Sequence, residues 1–184
     1  FNLDFEYVIH DIEDTKIKLK EMIVISKPLE HGLPCLGYSF VENDKRRIKP
    51  LEIKKLGIPE GPLLGELQNN KPINWKGEKI LPKNTTYIVK GKKVSIVLDT
   101  QINKNAYFLA KDADLLICEA TYTSDLEEKA QEYKHLTAKQ AAQLASQSNV
   151  KKLILTHVSQ RHKTPELILE DAKDVFENVV VAYD

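Results

Sequence analysis

Three side chains suited to ligand binding or proton transfer stand where short apolar runs stop. Residues 94–98 form a β-branched run that ends on Asp99, residues 114–118 end on Glu119, and residues 151–156 end on His157. Each run has the length of a buried strand. In open α/β sheets ligands collect beyond the carboxyl ends of the strands, so one rim would gather two carboxylates and an imidazole. A lone acid after a strand is more often a turn or cap residue; three such residues on one rim point to a site. Two further histidines sit on loops. His135 lies just ahead of a helix start, and His31 precedes Gly32 between Pro28 and Pro34. A loop histidine held by glycine and proline is a ligand candidate. His10 instead falls inside a predicted strand and is read as structural.

The elements that must position these residues are legible from pattern. Ser124 with Glu127, and Thr137 with Gln140, are two capping-box signals, each opening a helix between the second and third runs. The later helix carries Ala141, Leu144 and Ala145 as its apolar stripe. Thr164 as cap and Pro165 as first helical residue predict another helix, with Leu167, Ile168, Val175 and Phe176 on one side. A strand over 178–183 follows and ends on Asp184. Strands alternating with helices indicate an α/β layer. Ahead of it, residues 5–13 and 16–26 alternate as strands of a hairpin turning at Asp14-Thr15, and residues 35–41 form a strand after the His31 loop.

At 184 residues the chain can bury one good core. No apolar run approaches the roughly 20 residues of a membrane span, and residues 1–20 lack the basic and apolar regions of a signal peptide. Cys35 and Cys118 stand in no metal spacing and read as reduced thiols of a cytoplasmic protein. The start at Phe1 rather than Met suggests a piece of something longer. A formal net charge of zero hides an asymmetry, because residues 44–93 hold 13 Lys/Arg against 5 Asp/Glu, about +8, and the remainder holds 14 against 22, about −8. A basic lobe on an acidic body suggests a polyanion partner. Within 44–93 the pattern predicts a helix over 50–56 stopped by Gly57, a second from Pro62 to about Gln68, and a turn at Lys76-Gly77. Large apolar residues recur too seldom there to predict a core, so 44–93 reads as a flexible arm on a body made of 1–43 and 94–184.

Six motifs follow one another along the chain: EHGLPCLGYSF around His31, GIPEGPLLGEL at 57–67, VLDT ending at Thr100, CEAT at 118–121, KHLTAKQAA at 134–142 and LILTHVSQRH at 153–162. Together they resemble ribonuclease Z, the tRNA 3′-processing endonuclease family of the metallo-β-lactamase fold. The resemblance implies part of an αββα sandwich with a protruding basic arm. It makes His31 and His157 zinc ligands and Asp99 the carboxylate bridging two zinc ions. Zinc takes imidazole and carboxylate donors, and two ions activate a water and stabilise an in-line displacement. His135 becomes the general acid for the departing ribose 3′ oxygen, oriented by Glu119. Ser159 and Arg161 resemble residues near the scissile phosphate. Gly61-Pro62 resembles the arm's glycine-proline motif, and Arg46, Arg47, Lys54 and Lys55 would bind the backbone of precursor tRNA by shape rather than sequence. The family further implies a homodimer, and the lack of a long apolar run implies no membrane partner.

Two departures stand out. The family's His-x-His-x-Asp-His signature, which supplies four ligands, does not occur in the chain, so His31, Asp99 and His157 must share two ions, fewer ligands than a catalytic zinc needs. The expectation is therefore the later part of a longer enzyme; the alternative is a natural remnant. Cys118 stands where the family usually has histidine, which bears on one supporting hydrogen bond. Two other functions compete with the nuclease: a non-catalytic tRNA-binding fragment, and another metallo-β-lactamase-fold hydrolase acting on a small molecule, which would have no use for a basic arm.

Overall fold

The β-branched runs and helical stripes fold into an α/β layer. The computed structural model describes residues 12–162 and 164–182. In chain order the strands and helices are β1 (Thr15–Lys18), β2 (Met22–Leu29), β3 (Cys35–Glu42), β4 (Lys45–Ile48), α1 (Pro50–Leu56), α2 (Pro62–Gln68), β5 (Ile73–Trp75), β6 (Glu78–Ile80), α3 (Pro82–Thr85), β7 (Thr86–Val89), β8 (Lys93–Val97), α4 (Lys104–Ala110), β9 (Leu115–Glu119), α5 (Glu127–Tyr133), α6 (Ala138–Gln147), β10 (Leu153–Thr156), α7 (Glu166–Lys173) and β11 (Val179–Val181). The chain divides into two compact units: the described residues up to 41 with those from 92 onward, and residues 42–91. Among the described residues no helix is long and apolar enough to cross a membrane.

In the first unit seven strands form one sheet in the order β1-β2-β3-β8-β9-β10-β11. The pairs β1/β2 and β3/β8 are antiparallel, whereas β8, β9, β10 and β11 run parallel. Register sorts the side chains into rows. Ser39, Ser95, Leu116, Leu153 and Val179 align across the sheet and are buried. Ser39 and Ser95 donate their hydroxyls to the Leu109 carbonyl of α4, and the apolar members share a core with Leu109, Ala141, Leu144, Ile168 and Ala172 of α4, α6 and α7. The neighbouring row, Tyr38, Ile96, Ile117, Ile154 and Val180, points to the opposite face and is only partly buried, with Val180 41% exposed. Parallel strands are normally buried on both faces; here the helices cover one.

Several local expectations change. The first hairpin turns between Lys18 and Met22, inside the run expected as a single strand, where Leu19 N–H bonds the Met22 carbonyl and the Leu19 side chain is exposed. The Lys/Ile/Leu alternation simply continues through that turn. Residues 5–11, with His10, and residues 183–184, with Asp184, lie outside the described residues. Thr137 and Gln140 form both bonds of their capping box. Ser124 does not form its own: it opens a 3₁₀ turn, and its N–H and hydroxyl both go to the Asp171 carboxylate of α7, which also accepts the Lys139 N–H. The last helix begins at Glu166 behind Pro165, and Leu167 points outward while Ile168 and Ala172 are buried.

Residues 42–91 have a core, contrary to the expectation from sequence. Ile53, Ile58, Leu67, Ile73 and Ile80 are buried together, with Leu56, Leu63, Leu64 and Trp75 packed against them. These apolar residues come singly from several short elements, so no run advertises them. β4 pairs antiparallel with β7, and β5 with β6. Lys76 and Gly77, at φ 50° and 82°, make the tight turn between β5 and β6, the paired left-handed conformation that favours glycine. Gly57 closes α1 in the left-handed conformation, its N–H bonding the Ile53 and Lys54 carbonyls.

Candidate functional site

The three parallel strands β8, β9 and β10 carry the site at their carboxyl ends and are tied together at the other. Asp114, just before β9, accepts the Lys93 N–H at 2.8 Å, the Lys151 ammonium at 2.8 Å and the Lys92 ammonium at 3.2 Å. At the opposite rim Asp99 follows β8 at φ 49°, Glu119 ends β9, and His157 follows β10 at φ 57°. The left-handed region is uncommon for residues with a side chain, though Asp and His are among those found there. Lys134 at φ 57° closes α5 in the same way and delivers His135 to the rim.

Ligand atoms of His31, Asp99 and His135 lie within 4.8 Å of one another. His157 joins them: its Nε2 is 3.1 Å from Asp99 Oδ1, and its ring centroid is 5.4 Å from that of His135. The His31 and His135 rings are 4.9 Å apart. His31 Nδ1 is 3.2 Å from the Lys134 carbonyl, and His135 Nδ1 is 3.0 Å from Glu119 Oε2. Both partners are acceptors, so Nδ1 carries the proton in each ring and Nε2 is left for the site.

Glu119 is fully buried and saturated with donors. Besides His135 it accepts the Thr100 N–H, the Thr121 hydroxyl at 2.8 Å and the Leu136 N–H at 3.0 Å. Such a set of partners is what allows a carboxylate to be buried. Thr100, also fully buried, turns its hydroxyl the other way. It accepts the Glu30 N–H at 3.1 Å and the Asn103 amide at 2.8 Å, and donates to the Gln101 carbonyl at 2.8 Å. Thr100, next in the chain to Asp99, thus joins the backbone beside His31 to the anchor of His135. Thr100 and Thr121 both fall inside the motifs quoted above, but nothing in their type or spacing marks the positions they hold here. Cys118 packs in the helix-facing core, and burial, then the Glu119 charge, pushes its thiol well above the usual range. The Cys35 thiol donates to the Leu98 carbonyl at 3.3 Å and is likewise raised, by burial and then by the Asp99 and Glu119 charges. Both cysteines are free thiols.

The remaining candidates divide. Ser159 shares a depression with His157, and its N–H bonds the Thr121 carbonyl at 3.1 Å. Arg161 lines a different cleft, of about 970 Å³, with Asp125, Leu126, Leu167 and Asp171. Arg46, Arg47, Lys54, Lys55, Gly61 and Pro62 belong to the second unit. There Arg46 donates to the Thr86 hydroxyl at 2.8 Å, Lys55 pairs with Glu52 at 3.0 Å, and Arg47 and Lys54 are exposed. Gly61, at φ 139°, precedes Pro62, the first residue of α2.

The fold of the chain has solved counterparts. The metallo-β-lactamase fold protein YhfI from Bacillus subtilis superposes with a TM-score of 0.59 at 15% identity, covering 92% of this chain and 50% of that one. The short form of human tRNase Z superposes with a TM-score of 0.54 at 24% identity, covering 91% and 43%. The chain has the metallo-β-lactamase fold. In sequence it is 38% identical to ribonuclease Z of Archaeoglobus fulgidus over 187 residues, which is 99% of this chain and 61% of that relative. The chain is thus similar to ribonuclease Z over nearly all of its own length, and it spans about 61% of the length of that curated relative. No protein-family model matches it.

Proposed function

We propose that the chain is the later part of a zinc-dependent endoribonuclease that removes the 3′ trailer from precursor tRNA and leaves a 3′-hydroxyl on the tRNA. The observation that carries this reading is His135, anchored by Nδ1 to the buried Glu119 and facing His31, Asp99 and His157 on one rim. Imidazole nitrogens and a carboxylate oxygen converging in this way suit zinc. His31, Asp99 and His157 would hold it, alongside further ligands that these three do not supply. A zinc ion held there would supply polarisation of a phosphate oxygen and activation of a water as nucleophile.

The chain's own residues supply the rest. Glu119 orients the His135 ring through Nδ1, so that a proton on Nε2 is directed to the ribose 3′ oxygen as its bond to phosphorus breaks. Thr100 holds Glu119 and the His31 loop in register. Ser159 and Arg161 would flank the substrate phosphates. Arg46, Arg47, Lys54, Lys55 and Gly61-Pro62 of the second unit would hold the tRNA backbone, in a cytoplasmic homodimer.

The test is His135→Ala in an enzyme extended to the length of its relatives. Cleavage of a 3′-extended pre-tRNA is expected to fall by about 10²- to 10⁴-fold, with tRNA affinity near normal and zinc content unchanged. An unchanged rate would remove His135 from the mechanism. One observation favours a second role: His135 lies within 4.8 Å of the His31 and Asp99 ligand atoms, and metal-ligating histidines commonly donate their other nitrogen to a carboxylate. Loss of zinc in His135→Ala would make it a ligand instead.

A further inference from the structure

We infer that the pocket bounded by Gln101, Ile102, Gln131, His135 and Gln140 seats one nucleobase of the RNA strand beside the scissile phosphate and reads its edge through side-chain amides. This deepens the nuclease reading and rests on it for the identity of the ligand as RNA. The pocket holds about 370 Å³, the lower end of the range for small-molecule sites. His135 is one of its walls and also a member of the histidine cluster, so a base seated there is next to the reacting bond.

The lining chemistry selects a base over a phosphate. In a chain with 29% charged residues, none of the five lining residues is Lys, Arg, Asp or Glu. Two of the amides are locked. Gln140 Oε1 accepts the Thr137 N–H at 3.0 Å and its Nε2 donates to Glu127 at 3.0 Å, which leaves one N–H as a donor. Gln101 Nε2 donates to Glu30 Oε2 at 3.0 Å, which leaves Oε1 as an acceptor. Because backbone N–H groups only donate and carboxylates accept, these partners fix which end of each amide is which. Gln131 is exposed, and among the described residues its amide makes no hydrogen bond, so it can both donate and accept. Ile102, 38% exposed, offers an apolar wall for the face of a ring. A fixed donor, a fixed acceptor and an apolar wall are the components with which proteins read an unstacked RNA base.

The experiment is a titration of the chain with AMP, GMP, CMP, UMP and inorganic phosphate, following the side-chain amide NMR signals of Gln101, Gln131 and Gln140. One nucleotide is expected to bind at least about tenfold tighter than the weakest, to shift those amides, and to resist competition by phosphate. Gln131→Ala, an exposed substitution, should erase most of that preference, and Gln101→Leu, which removes the fixed acceptor, should do the same. Equal affinity for all four, absence of binding at millimolar nucleotide, or shifts reproduced by phosphate alone would overturn the pocket. Base-selective binding by a chain whose extended form leaves pre-tRNA uncut would keep the pocket and remove the nuclease. Cleavage without base-selective binding would do the reverse.

Discussion

Thr100 has no chemistry of its own at the rim, yet three parts of the site hang on it. Thr100→Val keeps the shape and the backbone N–H to Glu119 but removes the acceptor for the Glu30 N–H and the Asn103 amide. Leaving a buried donor unsatisfied costs about 1–3 kcal/mol. Urea unfolding should show a loss of that size, and cleavage should fall further than stability explains, because Glu30 adjoins His31; Thr100→Ser should restore most of both. A stable Thr100→Val with full activity would reduce the residue to a spacer. Asp99, Glu119, His157 and the loop position of His135 are legible in the sequence, because a strand's end follows from the length of its apolar run. The role of Thr100 is not: Glu30 and Thr100 are 70 residues apart, and no local pattern encodes that bond. The left-handed turns at Asp99 and His157, which aim both side chains, are equally silent.

Elements show the same division between local and distant causes. The sequence holds two identical-looking capping boxes, and only Thr137 with Gln140 closes, because Asp171, 47 residues from Ser124, competes for the other. The core of residues 42–91 is not legible because its members are scattered singly. Asp114 is a comparable distant tie, binding the starts of β8 and β10 to β9. Its hydrogen bond from Lys151, then those from the Lys93 N–H and Lys92, hold its carboxyl at about 2 against an ordinary 3.8. The folded value lies below the unfolded one, so the folded chain binds fewer protons between them. The stabilisation is complete above about pH 4 and is lost as pH falls towards 2. The difference in urea midpoint between the native chain and Asp114→Asn should therefore be largest above pH 4 and shrink below it; a difference independent of pH from 5 to 2 would separate the carboxylate charge from the stability of the strand starts.

At the scale of the molecule, neutrality is the sum of two opposed parts. Lys92 and Lys93 fall in the first unit, where Lys92 pairs with Asp114 and the Lys93 ammonium bonds the Lys111 carbonyl at 2.6 Å. Residues 42–91 then hold 11 Lys/Arg against 6 Asp/Glu, a net +5 rather than the +8 of the longer segment. Part of that charge is already engaged, since Lys55, Lys71 and Lys90 pair with Glu52, Glu66 and Asp44, and Arg46 serves the β4/β7 pair through Thr86. Arg47 and Lys54 are exposed, and among the described residues neither makes an ion pair. Of the four basic residues expected to bind tRNA, these two are the clean probes, because reversing Arg46 would also disturb β4 and reversing Lys55 would set it against Glu52. The double reversal Arg47→Glu with Lys54→Glu should weaken pre-tRNA binding and lower the log–log salt slope by about one for each phosphate no longer neutralised, measured by filter binding between about 50 and 200 mM salt. The melting temperature should stay near that of the native chain, because surface charges away from packed features shift stability by about 0.5 kcal/mol or less. Unchanged affinity and slope would mean that the basic unit does not meet the RNA backbone, and binding would then have to come from the rim alone.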